Sequence, residues 1–171
     1  ADTGHPSIFN TASEAAELRS NLGKYPLLDR SVEKARGVMA TALAVPIETP
    51  PPGEAGGYAH ERHKQNYREM FAAGLLFQIT GEEQYAGFVR DMLDAYADIY
   101  PDLPPHPLAY NQRAGKLFHQ TLNEQVWLVH TAVAYDNVYD WLSEEQRARY
   151  EANIFRPMAE WFSVRNEAVF N

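Results

Sequence analysis

The chain has 171 residues, of which 45% are hydrophobic and 12% aromatic, a composition that predicts a folded globular domain and excludes a disordered segment. Fifteen basic against twenty-three acidic residues give a formal net charge of -8, which argues against general nucleic-acid binding and against binding to a membrane surface. The absence of cysteine excludes disulfides, iron–sulfur clusters and thiolate zinc sites.

Helix signals recur along the whole chain, and almost no segment shows the pattern of a strand. After an extended segment over 1–10, the predicted helices cover about 11–21, 27–44, 60–80, 82–100, a long segment after Gly115, and 144–164. Thr11 with Glu14, and Ser143 with Gln146, match N-terminal capping patterns, and Gly81 is placed to end the third helix. The sequence therefore predicts an all-α fold of antiparallel helical hairpins laid side by side.

The segment 45–57, VPIETPPPGEAGG, separates the second and third predicted helices. Its density of proline and glycine predicts a long loop without helix or strand. In a compact domain a loop of this length is more often functional than idle.

The segment after Gly115 predicts a helix with two unlike faces. At about 100° per residue, one quarter of the circumference carries Lys116, His119, Asn123, Trp127 and His130. The opposite face carries Phe118, Leu122, Val126, Val129 and Val133. A solvent-exposed helix side usually carries lysine and glutamate. This side instead carries amide, imidazole, indole and ammonium groups, which predicts that it lines a binding site for a polar ligand.

A first set of candidate saccharide contacts lies in this loop and helix. It comprises Tyr110, Arg113, Lys116, His119, Gln120 and Asn123. Amides bond sugar hydroxyls in both directions, and cations bind carboxylates, so this set suits an acidic sugar. We select Tyr110, Lys116, Gln120 and Asn123 from it. The alternative is chance exposure of polar groups on a helix.

A second set lies in GGYAHERHKQNYR, at the start of the third predicted helix. His60, Arg62 and His63 form a cluster in which Arg62 or His63 could hold a carboxylate by charge-assisted bonds. Two histidines three residues apart lack an obvious third ligand, so we predict no metal site. The alternative is a solvated helix start.

Asp136 and Asp140 are four residues apart and share a helix face. A Mg²⁺-diphosphate site and a glycosidase acid–base pair both fit poorly, because no second acidic motif is present and a glycosidase pair normally straddles the sugar from separate elements. The structural interpretation is that Asp136 bonds Arg147 or a backbone amide. The nearby aromatic residues are interpreted as core: Trp127, Tyr135, Tyr139, Trp141, Trp161 and Phe162.

Four segments in order carry a resemblance to a known family: GGYAHERHKQNYREM, ITGEEQYAGFVRDMLDAYADIYPDLPPHP, GKLFHQTLNEQVWLVHTAVAYDNVYDWLS and NIFRPMAEWFS. Together they resemble the N-terminal helical part of oligoalginate lyases of polysaccharide lyase family 17 and, more loosely, heparinase II/III-type uronate lyases. The resemblance spans about 7–171. It implies an incomplete (α/α) toroid, whose remaining helices and C-terminal β-sheet domain are absent from residues 1–171.

The resemblance also implies a reaction. Uronate lyases remove the C5 proton beside the sugar carboxylate and expel the 4-linked oxygen, which leaves an unsaturated uronate. The family's Asn-His pair would follow shortly after Asn171, and its proton-transfer tyrosines and the zinc of the β domain lie further on. No position here matches those residues, so no catalytic residue is assigned, and no cofactor is expected in this segment.

These inferences predict the helical domain of a uronate polysaccharide lyase that acts on oligoalginate by β-elimination, with residues 1–171 alone inactive. Two alternatives stay open: a non-catalytic carbohydrate-binding or interaction module, and a helical-barrel glycoside hydrolase. The expected partner is an anionic oligosaccharide, without nucleic acid or membrane, and with a possible homodimer through the full-length protein. The Ala-Asp-Thr-Gly start resembles a mature exported protein, which predicts a periplasmic or secreted location.

Overall fold

A computed structural model describes residues 4–108 and 114–164. Within those ranges the chain is helical and contains no strand, which confirms the predicted all-α class. The α-helices are α1 (Ala12–Ser20), α2 (Pro26–Leu43), α3 (Tyr58–Thr80), α4 (Glu83–Ile99), α5 (Thr121–Val138), α6 (Glu144–Tyr150) and α7 (Arg156–Ser163). None of these described helices is both long enough and apolar enough to span a bilayer.

The predicted helix ends are confirmed where a local side chain or glycine sets them. Thr11 caps α1 by accepting the amide hydrogen of Glu14 at 3.2 Å, while the Glu14 carboxylate accepts that of Thr11 at 2.8 Å. Ser143 and Gln146 form the same reciprocal pair of hydrogen bonds, a capping box, at the start of α6. Gly81 ends α3 in the left-handed conformation, at a φ of 75°, and donates its amide hydrogen to the Phe77 carbonyl.

Helix α3 lies at the centre of the fold and packs most extensively against α5, with α4, α2 and α1 on its other sides. The α3–α5 crossing is close at Gly74, where an added Cβ would lie 3.0 Å from the Ala134 Cα. The apolar core fills the space between α3, α4, α5 and α7. Its fully buried large side chains include Met70, Leu76, Met92, Leu93, Tyr96, Trp127 and Ile154.

The helix predicted over 144–164 is interrupted by a π-helical turn, Glu151–Phe155. Pro157 stands in the first turn of α7. Proline lacks an amide hydrogen, and its ring clashes with the carbonyl four residues earlier in a regular helix. The wider π turn accommodates the ring, and the segment continues as a second helix, α7.

The helix predicted from Gly115 onward begins only at Thr121, so the prediction of its start was wrong. Residues 114–120 are irregular, because their backbone wraps around a buried side chain of the following helix, Glu124. Lys116 and Gln120 are therefore not on one helix face with Asn123.

The predicted orientation of the central helix is also wrong in part. Leu122 and Val129 were placed on the inward face, yet they are 64% and 62% exposed. Trp127, placed on the ligand-facing side, is fully buried. Helix α5 turns several polar side chains inward because other parts of the chain supply their hydrogen-bond partners, and this removes the simple amphipathic signal.

Candidate functional site

The loop that precedes α5 is organised by the fully buried carboxylate of Glu124. One carboxylate oxygen accepts the amide hydrogens of Lys116, Leu117 and Phe118 at 2.5, 3.1 and 3.4 Å. The other accepts the Tyr100 hydroxyl hydrogen at 2.9 Å. Four donors thus converge on one carboxylate, an arrangement that stabilises a buried acceptor in place of water.

Gly115 makes room for this carboxylate. A Cβ added at Gly115 would lie 1.9 Å from the Glu124 Oε2 and 2.7 Å from the Phe118 carbonyl oxygen. Both distances are far inside van der Waals contact, so a side chain at this position would push the loop away from Glu124.

Burial raises the pKa of Glu124 to about 7, although its bonds with Tyr100 and with the three amides act in the opposite direction. Burial, the charge of Glu124 and its hydrogen bond all raise the pKa of Tyr100 well above its ordinary value. Tyr100 therefore serves as a neutral hydrogen-bond donor to Glu124.

The Lys116 ammonium lies between two aromatic rings, 5.1 Å from the centroid of Tyr100 and 5.7 Å from that of Trp161. Both distances are typical of cation–π contacts. Lys116 also lines a cavity of about 150 Å³ with Pro157, Glu160 and Trp161. Trp161 is held in place by the hydrogen bond that its indole N–H donates to the Ala114 carbonyl at 2.8 Å.

Gln120 and Asn123 lie beside this loop at the start of α5, and both are half-buried. Gln120 is the N-cap residue of α5, but its side chain makes no capping bond. In the described part of the chain, no side-chain hydrogen bond engages either amide, so both are available to a ligand. Tyr110 and Arg113 lie outside the described residues.

In the second predicted group His60 and His63 are buried and Arg62 is half-buried, so the alternative of a solvated helix start is wrong for the two histidines. His63 is fully buried and donates its Nε2 hydrogen to the Pro50 carbonyl at 3.0 Å. Its Nδ1 accepts the Tyr96 hydroxyl hydrogen at 2.7 Å. Because a carbonyl only accepts, Nε2 of His63 carries a hydrogen. Burial lowers its pKa to about 4.

Asn66 completes the attachment of the proline-rich loop to α3. Its amide donates to the Glu48 carbonyl at 2.9 Å and to the Tyr96 hydroxyl at 2.8 Å. Together with His63, it joins the loop over 45–57 to the buried faces of α3 and α4.

Arg62 is engaged by other side chains of α3. It donates to the Glu69 carboxylate at 2.6 Å and to the Asn66 amide oxygen at 2.8 Å. Gln65 donates to the second Glu69 oxygen at 3.0 Å. The guanidinium is thus paired with a carboxylate of the protein itself.

The imidazole of His119 lies near those of His60 and His106. The ring centroid of His119 lies 5.7 Å from that of His60 and 6.2 Å from that of His106. The His60 ring packs edge-on against Phe118 at 5.1 Å. Burial lowers the pKa of His60 and that of His106, and in both cases the neighbouring imidazoles lower it further.

Asp136 does not form an acidic pair with Asp140. Its buried carboxylate accepts the amide hydrogens of Ser7 and Ile8 at 2.6 and 2.8 Å, and it contacts the Nδ1 of His5 at 2.5 Å. The predicted bond to a backbone amide is confirmed, whereas Arg147 instead lies over the Tyr139 ring at 4.6 Å. Asp140 is exposed.

The described residues include no group of three or more His, Asp and Glu side chains arranged to hold a metal ion.

Comparisons with known proteins place these features in context. The chain is 38% identical over 169 residues, or 98% of its length, to an exo-oligoalginate lyase of Saccharophagus degradans. It is also 38% identical over 162 residues, or 94% of its length, to an alginate lyase of Stenotrophomonas maltophilia. The chain is related to alginate lyases. No protein-family profile matches it.

The chain spans less than a quarter of the length of these alginate lyases, 23% of the first and 22% of the second. The aligned region includes almost every element described above. The resemblance to oligoalginate lyases is thereby confirmed as a relationship in sequence.

Sequence reasoning missed three residues of this candidate site: Tyr100, His106 and Glu124. Glu124 resembled an ordinary acidic residue in the first turn of a helix, and His106 stood in a proline-rich turn. The one available signal was Gly115, since glycine lacks a side chain and permits a close approach of another group. Nothing in the local pattern indicates which group approaches.

Proposed function

We propose that the protein to which this chain belongs is a uronate polysaccharide lyase that cleaves oligoalginate by β-elimination. The observation that carries the proposal is the 38% identity, over 98% of the chain, to a protein named exo-oligoalginate lyase. In this proposal the chain supplies one wall of the substrate groove, as part of an incomplete (α/α) toroid.

The reaction explains why such a wall would carry cations and amides. Abstraction of the C5 proton places negative charge on the sugar carboxylate, and the bond to the 4-linked oxygen then breaks with formation of the C4–C5 double bond. Donors preorganised near that carboxylate lower the barrier. The proton-transfer residues implied by the family resemblance match no position of the chain, so we assign binding and not proton transfer to its residues.

The loop fixed by Glu124 is the best supported part of the wall. Lys116 offers a cation beside a cavity, and aromatic rings hold it in place. Gln120 and Asn123 offer amides that have no hydrogen-bond partner among the described residues. We include Tyr110 on sequence grounds alone, since it lies outside the described residues.

The second candidate group consists of His60, Arg62 and His63, and these residues differ in their contacts. Within residues 4–108 and 114–164, the buried Nδ1 of His60 has no hydrogen-bond partner, so it is available to a ligand. Arg62 and His63 are occupied by bonds within the protein, so they would act by holding α3 and the proline-rich loop in position. This division supports saccharide contact for His60 and an indirect role for the other two.

The remaining parts of the proposal concern the whole protein. We place it in the periplasm or outside the cell, with an anionic oligosaccharide as its substrate and a homodimer as its assembly. We also propose that residues 1–171 alone have no lyase activity, because the implied proton-transfer groups match none of them.

The test is an assay of the complete reading frame on oligoalginate. A lyase produces an unsaturated uronate, whose conjugated double bond absorbs ultraviolet light. Cleavage without that absorbance would indicate a hydrolase, an outcome that the internal bonding of Asp136 disfavours. Saturable binding without cleavage would indicate a non-catalytic module. Either result would overturn the proposal.

A further inference from the structure

The cluster of His60, His106 and His119 brings together three separate pieces of chain. His60 lies in the first turn of α3, His106 in the turn after α4, and His119 in the loop before α5. The His106 amide donates to the Gly115 carbonyl at 2.9 Å, which ties the last two pieces together. The cluster therefore depends on the fold and not on one local motif.

Each of the three imidazoles keeps one buried ring nitrogen without a hydrogen-bond partner among the described residues: His60 Nδ1, His106 Nε2 and His119 Nδ1. His60 and His106 are themselves only 8% and 3% exposed. A buried polar atom without a hydrogen-bond partner destabilises the fold, so three such atoms in one place call for an explanation. A ligand that supplies the missing partners is such an explanation.

The tautomer of His106 indicates the kind of ligand. The Leu108 amide donates to His106 Nδ1 at 3.1 Å, so that nitrogen carries a lone pair and the hydrogen resides on Nε2. The unpartnered nitrogen of His106 is thus a donor. A metal at Nε2 would require a hydrogen on Nδ1, where it would oppose the Leu108 amide, so the site suits an oxygen acceptor instead.

One carboxylate lies near the three rings, and it is paired with a lysine. The nearest carboxylate is that of Glu61, whose oxygen lies 3.9 Å from His60 Nε2, beyond hydrogen-bond distance and shared with Lys64 at 2.9 Å. None of the three unpartnered nitrogens bonds to a carboxylate in the described ranges. A carboxylate ligand would favour the protonated imidazoles and gain charge-assisted bonds from them.

We propose that His60, His106 and His119 form a subsite that binds one carboxylate group of an acidic sugar. The subsite would join the two candidate groups, since His119 adjoins Gln120 and His60 lies one turn of α3 from His63. This inference rests on the proposed function for the identity of the sugar, while the subsite itself stands on the geometry of the three rings.

The test is a titration of the full 171-residue chain, observed by NMR of the imidazole nitrogens. The two probes are tetramannuronate and its neutral counterpart, β-1,4-linked mannotetraose. Tetramannuronate should shift the resonances of His60 and His106 and raise the pKa of each by about one unit, as expected for a group that gains an opposite charge. Mannotetraose should leave both unchanged. His5, bonded to Asp136 near the other end of α5, is the internal control and should not respond.

A conservative variant separates the proposed contact from a role in folding. In His106→Asn the amide oxygen can replace Nδ1 as acceptor for the Leu108 amide, but the Nε2 donor is lost. The variant should remain folded and bind tetramannuronate about tenfold more weakly, the ratio expected from one charge-assisted hydrogen bond.

The outcomes distinguish this inference from the proposed function. If tetramannuronate shifts the Gln120 and Asn123 amides but not His60 and His106, the subsite is wrong and the proposed function stands. If tetramannuronate shifts no resonance, the subsite is likewise wrong, and the ultraviolet assay on the complete reading frame decides the function by itself. Unchanged affinity of folded His106→Asn would also overturn the subsite.

Discussion

The Tyr100 hydroxyl donates to the Glu124 carboxylate across 2.9 Å, in a part of the core from which solvent is excluded. This bond joins the turn after α4 to the first turn of α5. Glu124 then binds three consecutive backbone amides of the loop that carries Lys116. The candidate saccharide wall thus depends on a side chain that would not itself touch the sugar.

Replacement of Glu124 by glutamine tests this arrangement. One end of the glutamine amide is a donor and would face either the Tyr100 hydroxyl or the loop amides, which are donors too. We expect Glu124→Gln to lower the free energy of unfolding at neutral pH by about 1–3 kcal/mol, measured by urea denaturation. Glu17→Gln, on the exposed surface of α1, should change it by less than about 0.5 kcal/mol. Equal effects of the two changes would contradict a special role for Glu124.

The free energies of unfolding of the wild type and of Glu124→Gln should also depend differently on pH. Because burial raises the pKa of Glu124 from an ordinary 4.5 to about 7, the folded chain binds more protons than the unfolded chain between those values. The stability contributed by this group is complete below about pH 4.5 and is lost as the pH rises through about 7. The wild type should therefore lose stability relative to Glu124→Gln over this window, by at most about 1.4 kcal/mol per pH unit. A difference that is constant with pH would show that Glu124 does not titrate there.

The buried His63 predicts that stability changes with pH in the opposite direction. Burial lowers its pKa from 6.5 to about 4, so between those values the unfolded chain binds more protons than the folded chain. Its contribution is present above pH 6.5 and is lost as the pH falls toward about 4. Relative to His63→Gln, the wild type should lose stability on acidification, as measured by urea denaturation at several pH values. A parallel course of the two curves would contradict the neutral, buried state of His63.

Two glycine-to-alanine changes should act in opposite directions. Gly115→Ala places a methyl group against the Glu124 carboxylate and should cost about 1–3 kcal/mol of stability, as overpacking does. Gly37→Ala lies in α2, where an added Cβ meets nothing within 4 Å, and should stabilise the chain by up to about 1 kcal/mol through helix propensity. Thermal unfolding measures both, and a harmless Gly115→Ala would disprove the close approach of Glu124.

The proposed substrate contacts of Gln120 and Asn123 are tested in the complete protein. Gln120→Ala and Asn123→Ala should each reduce kcat/KM on oligoalginate by about threefold to tenfold, the loss expected from one neutral hydrogen bond. Gln84→Ala, at an exposed position of α4, is the matched control and should leave kcat/KM unchanged. Full activity of folded Gln120→Ala and Asn123→Ala would remove both residues from the substrate site.

The sequence is sufficient to predict those features that nearby residues determine. The capping boxes at Thr11 and Ser143, the end of α3 at Gly81 and the all-α class follow from patterns a few residues long. Asp136 as a bonded structural residue was also predicted. At the capping boxes and at Gly81 the interacting groups are close in sequence. For Asp136 the prediction did not require a particular backbone amide.

The orientation of α5 could not be obtained in this way. A periodicity argument assumes that polar side chains face water, yet Glu124 and Asp136 face inward. Their partners lie far away along the chain, 24 residues for Tyr100 and 129 residues for Ser7. No local pattern encodes a distant donor, so the exposed Leu122 and Val129 were placed on the wrong side of the helix.

Asp136 is bonded to His5, Ser7 and Ile8. These bonds limit how far the chain can be truncated from its N-terminal side. Trimming the chain back to the first helix would remove both amide donors and leave a carboxylate stranded in the interior. Any shortened version designed for biophysical work should therefore keep the residues from His5 onward, even though they form no regular secondary structure.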